Sequence, residues 1–158
     1  MSDADTTGEW TAEFYEDESG RRPVEEWMLD LPEFKRAAVI AAIECRLEQR
    51  GINLSDSNWM TPLGDGLHEF RIRDSEAQIR QKFDTADAKT PKGLDGGGIL
   101  LRVFVHFYGK KICLLLGGYD KKDDNSEKKQ NREIATARKR MAEWKRRQQS
   151  TKKGAKHQ

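Results

Sequence analysis

Five consecutive apolar residues, 112–116 (Ile, Cys, Leu, Leu, Leu), constrain this chain more than any other stretch. A run this short, bounded by turn residues and lacking a polar face, predicts a central strand buried on both sides. Residues 99–107 lead into it by strict alternation. Ile99, Leu101, Val103, Val105 and Phe107 take one side, and Leu100, Arg102, Phe104 and His106 the other. Gly109-Lys110 between the two runs predicts a hairpin, and Gly117-Gly118 predicts the end of the second strand. A third alternating stretch, 67–73, sets His68, Phe70 and Ile72 against Glu69, Arg71 and Arg73.

The segments before these strands read as a strand and two helices. Trp10, Ala12 and Phe14 share one face of a first strand, and residues 16–22 form an acidic, turn-rich loop. Pro23 suits the first position of a helix whose apolar stripe is Val24, Trp27, Met28 and Leu31. Pro32 restarts the chain as a second helix to about Gln49, stopped by Gly51, so the pair forms a hairpin. Residues 52–66 read as loop anchored by Trp59 and Leu63. After a polar loop at 120–125, Ser126 is the expected N-cap of a last helix to about Arg147, with Ile134, Ala137, Met141 and Trp144 facing the core. The fold class is α+β: an N-terminal strand and helical hairpin, an antiparallel sheet, and a C-terminal helix. One domain, 9–147, is expected, with disordered ends at 1–8 and 148–158. Residues 74–98 form a long insertion arm containing Gly93, Gly96, Gly97 and Gly98.

Composition excludes several classes. The longest apolar stretch, 37–43, has seven residues, whereas a membrane span needs about 20. With no basic-then-apolar leader, a soluble cytoplasmic protein is expected. Cys45 and Cys113 offer neither a disulfide framework nor a paired-cysteine zinc site. His68, His106 and His157 are scattered, and no phosphate-binding or dinucleotide glycine loop is present, so no metal and no small-molecule cofactor is expected. The net charge of +2 conceals a gradient. Residues 1–30 hold ten acids against two arginines, and residues 120–158 hold fourteen Lys and Arg against six acids.

The candidate chemistry is a convergence of cations on the sheet. Arg71 and Arg73 share a strand face with Glu69, and Arg102 joins them if the strands at 67–73 and 99–107 pair. Lys121 and Lys122 follow Tyr119 just past the last strand. Such a set binds phosphates, arginine by bidentate forks and lysine as a point charge. The competing reading is the solvated face of a one-sided sheet, which suits Arg71 and Arg73 alone. Arg102 weighs against it, because a lone charge in an apolar strand needs a partner or a ligand. Glu69 is a candidate general base or an ion-pair partner of Arg71 or Arg102. His106 is a candidate acid or base, or a packed histidine; Tyr119 stacks on a base or caps the core edge. His68 and Trp144 read as core.

The order of these pieces resembles the RelE/ParE superfamily of toxins, in its HigB-like, phage-derived branch. The resemblance rests on residues 66–73 (Gly-Leu-His-Glu-Phe-Arg-Ile-Arg), residues 101–104 (Leu-Arg-Val-Phe), residues 114–122 (Leu-Leu-Leu-Gly-Gly-Tyr-Asp-Lys-Lys), and the Ile134, Ala137, Arg140 helix. It spans roughly residues 9–147. The resemblance implies a toxin of a two-gene toxin–antitoxin module, a metal-independent endoribonuclease that cuts messenger RNA in the ribosomal A site and so inhibits translation. Its implied partners are the ribosome, messenger RNA and a cognate antitoxin, a helix-turn-helix protein. Arg71, Arg73 and Arg102 match the family's strand arginines, and Tyr119, Lys121 and Lys122 its aromatic-plus-lysine segment. Two features depart from the pattern: the arm at 74–98 and the acid Asp120 beside the lysines. Two rival functions stay open, a ParE-like inhibitor of DNA gyrase and a catalytically silent RNA-binding module. On the ribonuclease reading, the basic last helix, from Lys128, Lys129 and Arg132 onward, touches RNA, and the acidic N-terminal end lies off its path.

Overall fold

The computed structural model describes residues 9–74 and 99–156, with side chains as far as Thr151. The expected arm at 74–98 and the ends at 1–8 lie outside the described residues, apart from Asp74. Strand β1 (Thr11–Phe14) is followed by helices α1 (Pro23–Asp30) and α2 (Glu33–Ala42). Helix α2 runs on through a π-turn, Ile43–Leu47, and a last turn, Glu48–Arg50. Four strands follow, β2 (Met60–Gly64), β3 (Leu67–Asp74), β4 (Ile99–Tyr108) and β5 (Ile112–Asp120), then helix α3 (Glu127–Lys156). They form one sheet in the order β1-β5-β4-β3-β2, covered by α1 and α2 on one face and by α3 on the other.

The apolar run behaves as its composition requires. Cys113 and Leu115 enter the core beneath α1 and α2, and Leu114 and Leu116 enter the core beneath α3. Phe70, Ile72, Leu101 and Val103 line the first core, and Leu67, Phe104, Ala137, Met141 and Trp144 the second. Pro23 occupies the first turn of α1, where its missing N–H is not needed, and Val24 and Met28 face inward. Gly51 ends the second helix at φ +50°, where an added Cβ would stand 2.2 Å from the Trp10 indole. Ser126 caps α3, its Oγ accepting the Lys129 N–H at 3.1 Å.

Four expectations change. Residues 60–64, read as loop, form edge strand β2, which pairs with β3 across a turn where Gly64, Asp65 and Gly66 all have positive φ. Pro62 hid this strand, and an edge position is where a residue without an N–H is tolerated. Gly117-Gly118 does not end β5, which continues to Asp120. The sheet is not wholly antiparallel, because β1 pairs with β5 in parallel. The basic end at 148–158, expected to be disordered, continues α3 to Lys156. No helix among the described residues is long and apolar enough to cross a membrane.

Candidate functional site

The alternation that put Glu69, Arg71 and Arg73 on one face of β3 directs them to the α3 side of the sheet. Register then makes them a site. Arg71 pairs with Arg102 on β4, and Arg102 pairs with Tyr119 on β5, so the three form one row across the three strands. Neighbouring strands lie about 4.8 Å apart, which brings the side chains within mutual reach.

Glu69 organises the row from beneath. It is 1% exposed, with Oε1 3.3 Å from Arg71 Nε and 3.8 Å from Arg102 Nε. Its Oε2 accepts a hydrogen bond from Gln130 Nε2, in the first turns of α3, at 3.0 Å. With its oxygens held by two guanidiniums and an amide, the carboxylate acts as the arginines' anchor. Two cations against one anion leave the row net positive, which suits a phosphate.

Arg102 is 5% exposed, and its Nη1 donates to the Leu101 carbonyl at 3.2 Å. Burial pulls its pKa below the usual guanidinium range, and the nearby Glu69 charge opposes that shift. Its Nε makes no hydrogen bond among the described residues. Tyr119 is 4% exposed, its ring stacked at 6.1 Å on Phe104, and its hydroxyl also has no hydrogen-bond partner among the described residues. Burial, then the Glu69 charge, raises the phenol's pKa. Arg71 is the accessible member of the row, with 32% of its side chain exposed.

The other candidates are distributed around this row. Arg73 lies one pleat beyond Arg71 and donates to the Asn58 carbonyl at 2.9 Å. Lys121 and Lys122 follow the row's Tyr119 end, and the Lys121 N–H donates to the Leu100 carbonyl at 2.8 Å. Asp120, the acid that departs from the family pattern, points to the opposite face from Tyr119. It forms a buried ion pair with Lys35 of α2, and its Oδ1 accepts the Lys122 N–H at 2.9 Å, holding the lysine turn in place. Lys128 and Arg132 are exposed on α3, while Lys129 pairs with Glu133 at 2.8 Å.

His106 is not brought to the row. It shares the face, but it sits four residues along β4 from Arg102, roughly 13 Å at strand rise. There its Nδ1 lies 2.8 Å from the Gly66 carbonyl and its ring packs edge-on against Trp144. His68 packs against Phe107 on the other face, as expected of a core histidine. Gln130 and Lys35 were not singled out in the sequence. Nothing in the sequence pattern marks either residue, because both reach their partners only through packing between distant segments. Among the described residues no group of three or more His, Cys, Asp or Glu is placed to hold a metal ion. No protein-family model matches this chain, and no curated protein matches it either.

Proposed function

We propose that this chain is a RelE-like toxin of a toxin–antitoxin module that binds messenger RNA on the ribosome and cleaves it without a metal or cofactor. The observation that carries the reading is the row Arg71–Arg102–Tyr119, anchored by Glu69 and followed by Lys121 and Lys122. In the reaction the ribose 2′-oxygen bonds to the adjacent phosphorus and the bond to the 5′-oxygen breaks, leaving a cyclic phosphate and a 5′-hydroxyl. One proton leaves the 2′-hydroxyl and one reaches the departing oxygen. Arg71 meets the phosphate first and, with Arg102 behind it, stabilises the added negative charge. Lys121, Lys122 and Arg73 hold neighbouring phosphates, and Lys128 and Arg132 extend the cationic surface along α3. On this reading Tyr119 and Lys121 carry the protons, since His106 is distant and Glu69 is engaged. A helix-turn-helix antitoxin and a cytoplasmic setting belong to the same proposal.

The test is cleavage of a translated message on purified ribosomes, read by mapping the new 5′ ends. The wild-type chain is expected to cut, and Arg71→Ala to cut at least about tenfold more slowly while still unfolding cooperatively, since Arg102 and Gln130 keep Glu69 partnered. Undiminished cutting by R71A would remove the assignment. Inhibition of gyrase with intact messages would replace the whole reading with the ParE-like one.

A further inference from the structure

Parts of the sheet's outward backbone are sealed by the chain itself, as natural sheet edges usually are. On β1, the Trp10 N–H donates to the Glu48 carbonyl at 2.8 Å and the Ala12 N–H to the Glu48 carboxylate at 3.0 Å. On β2, Pro62 has no N–H, and Arg138 donates to the Leu63 and Gly64 carbonyls at 2.6 and 3.2 Å. The second half of β5 differs. Strand β1 ends at Phe14, opposite Leu115, so no described strand flanks the outer side of residues 116–120.

The directions of the backbone groups there follow from register. The Lys121 N–H donates to Leu100, so Leu100 and Lys121 are a hydrogen-bonded pair. Antiparallel alternation makes Arg102–Tyr119 the next such pair, which points the N–H and C=O of Gly118 and the N–H of Asp120 away from β4. Arg140 takes the Leu116 carbonyl at 2.8 Å, and the Asp123 N–H takes the Asp120 carbonyl at 3.2 Å. No backbone bond among the described residues reaches the outward groups of Gly118.

This open edge floors a groove. A cavity of about 570 Å³ adjoins it at Gly118, Tyr119 and Asp120, and a second of about 330 Å³ lies by Arg140, which holds the Leu116 carbonyl. Helix α1 walls the larger with Trp27 and Asp30 and the smaller with Pro23 and Glu26, positions that share one helical face. Helix α3 stands opposite, contributing Arg132 to the larger cavity and Arg140 to the smaller. With the ion pairs Lys35–Asp120 and Lys129–Glu133 set aside, the larger cavity keeps the carboxylates of Asp30, Asp123 and Asp124 against the single guanidinium of Arg132. The lining is therefore net negative at the foot of a basic helix.

We propose that this groove takes an extended segment of a partner protein, which pairs its backbone with Gly118 and Asp120 and sets a Lys or Arg side chain against Asp30 and Asp123. Main-chain pairing gives a strand-addition site its affinity, and the side-chain pocket gives its specificity. The groove shares Tyr119 and Arg132 with the cationic surface, but its carboxylates at Asp30, Asp123 and Asp124 repel a polyanion. The proposal stands whether or not the chain cleaves RNA.

The test selects octapeptides from a random display library on the intact chain, then titrates the winners into ¹⁵N-labelled protein. Enriched peptides are expected to carry a Lys or Arg among β-branched residues and to shift the Gly118 and Asp120 amide signals. Their binding should weaken at least about tenfold against the variant D30K/D123K, which alters two exposed side chains and keeps the fold. Methylating the peptide's central backbone nitrogens should abolish it. Several results would overturn the proposal: no enrichment, winners without a basic residue, equal binding to D30K/D123K, or unshifted Gly118 and Asp120 signals. A hexauridylate that displaces the bound peptide would overturn it too, by making the groove a nucleic-acid site.

Discussion

Arg102 shows how a charge survives in an apolar strand. It sits among Leu101, Val103 and Phe104, all fully buried, and is tolerated because the Glu69 carboxylate lies 3.8 Å away, against the repulsion of the neighbouring Arg71. Removing one member of a buried pair leaves the other uncompensated, which costs about 3–5 kcal/mol, whereas replacing both by apolar residues is often far milder. Arg102→Met is therefore expected to lower unfolding free energy by that amount, and the double variant Glu69→Met/Arg102→Met to recover part of it. Urea unfolding of Arg102→Met, Glu69→Met and the double variant decides the point: a double variant as unstable as the sum of the single changes would mean the charges are not coupled. The cost also explains why Arg71, not Arg102, is the residue for a functional test. Alternation alone placed Glu69, Arg71 and Arg73 on one face and Arg102 with His106 on another strand's face. It did not say which residue of β3 would stand opposite Arg102. Register chose Arg71, and position along β4 carried His106 away to Trp144.

Strand β5 carries the next scale of the argument. Its glycine pair reads as a strand end, yet each glycine serves the sheet by admitting a helix. Gly117 faces α3, with Ala137 and Arg140 close by, and Gly118 faces α1, where an added Cβ would stand 2.5 Å from the Trp27 ring. Gly118→Ala is expected to cost about 1–3 kcal/mol, as overpacking does. Trp27→Leu in that background should recover some of the loss, giving a coupling between contacting sites. Denaturant midpoints of the two single variants and the double measure it, and strict additivity would show that the ring is not what excludes the methyl. Strand β2 is the converse case. Its five residues include Pro62, so no propensity argument finds it, and pairing with β3 alone makes it a strand.

Across the whole molecule, the two ends of the described chain meet. The Tyr15 hydroxyl donates to Glu143 of α3 at 2.8 Å, Arg147 binds the same carboxylate, and Arg147 also donates to the Glu16 carbonyl. The acidic loop after β1 therefore lies against the basic helix, with Arg146 and Glu18 3.8 Å apart, so the charge gradient along the sequence is partly folded back on itself. Burial, then the Glu143 hydrogen bond and charge, push the Tyr15 phenol from its ordinary 10.0 up to about 12. A phenol whose folded pKa is raised stabilises the fold fully below its unfolded pKa and loses that contribution as pH rises through the folded value. Wild-type stability should thus fall between about pH 10 and 12 by as much as about 2–3 kcal/mol more than that of Tyr15→Phe. Urea midpoints across that range test this, and parallel profiles for the two proteins would refute it.

Sequence alone determined the faces taken by residues 67–73 and 99–107, the helical hairpin, the apolar stripe of α3 and the clustering of cations near two strands. These follow from periods of 2 and 3.6 residues, which are local properties of one chain segment. Tertiary structure alone decided the row Arg71–Arg102–Tyr119, the burial of Glu69 beneath it, the turning of Asp120 to Lys35, and the open edge beside Gly118. Each of those depends on hydrogen-bond register and packing between segments distant in sequence, and no single segment carries that information.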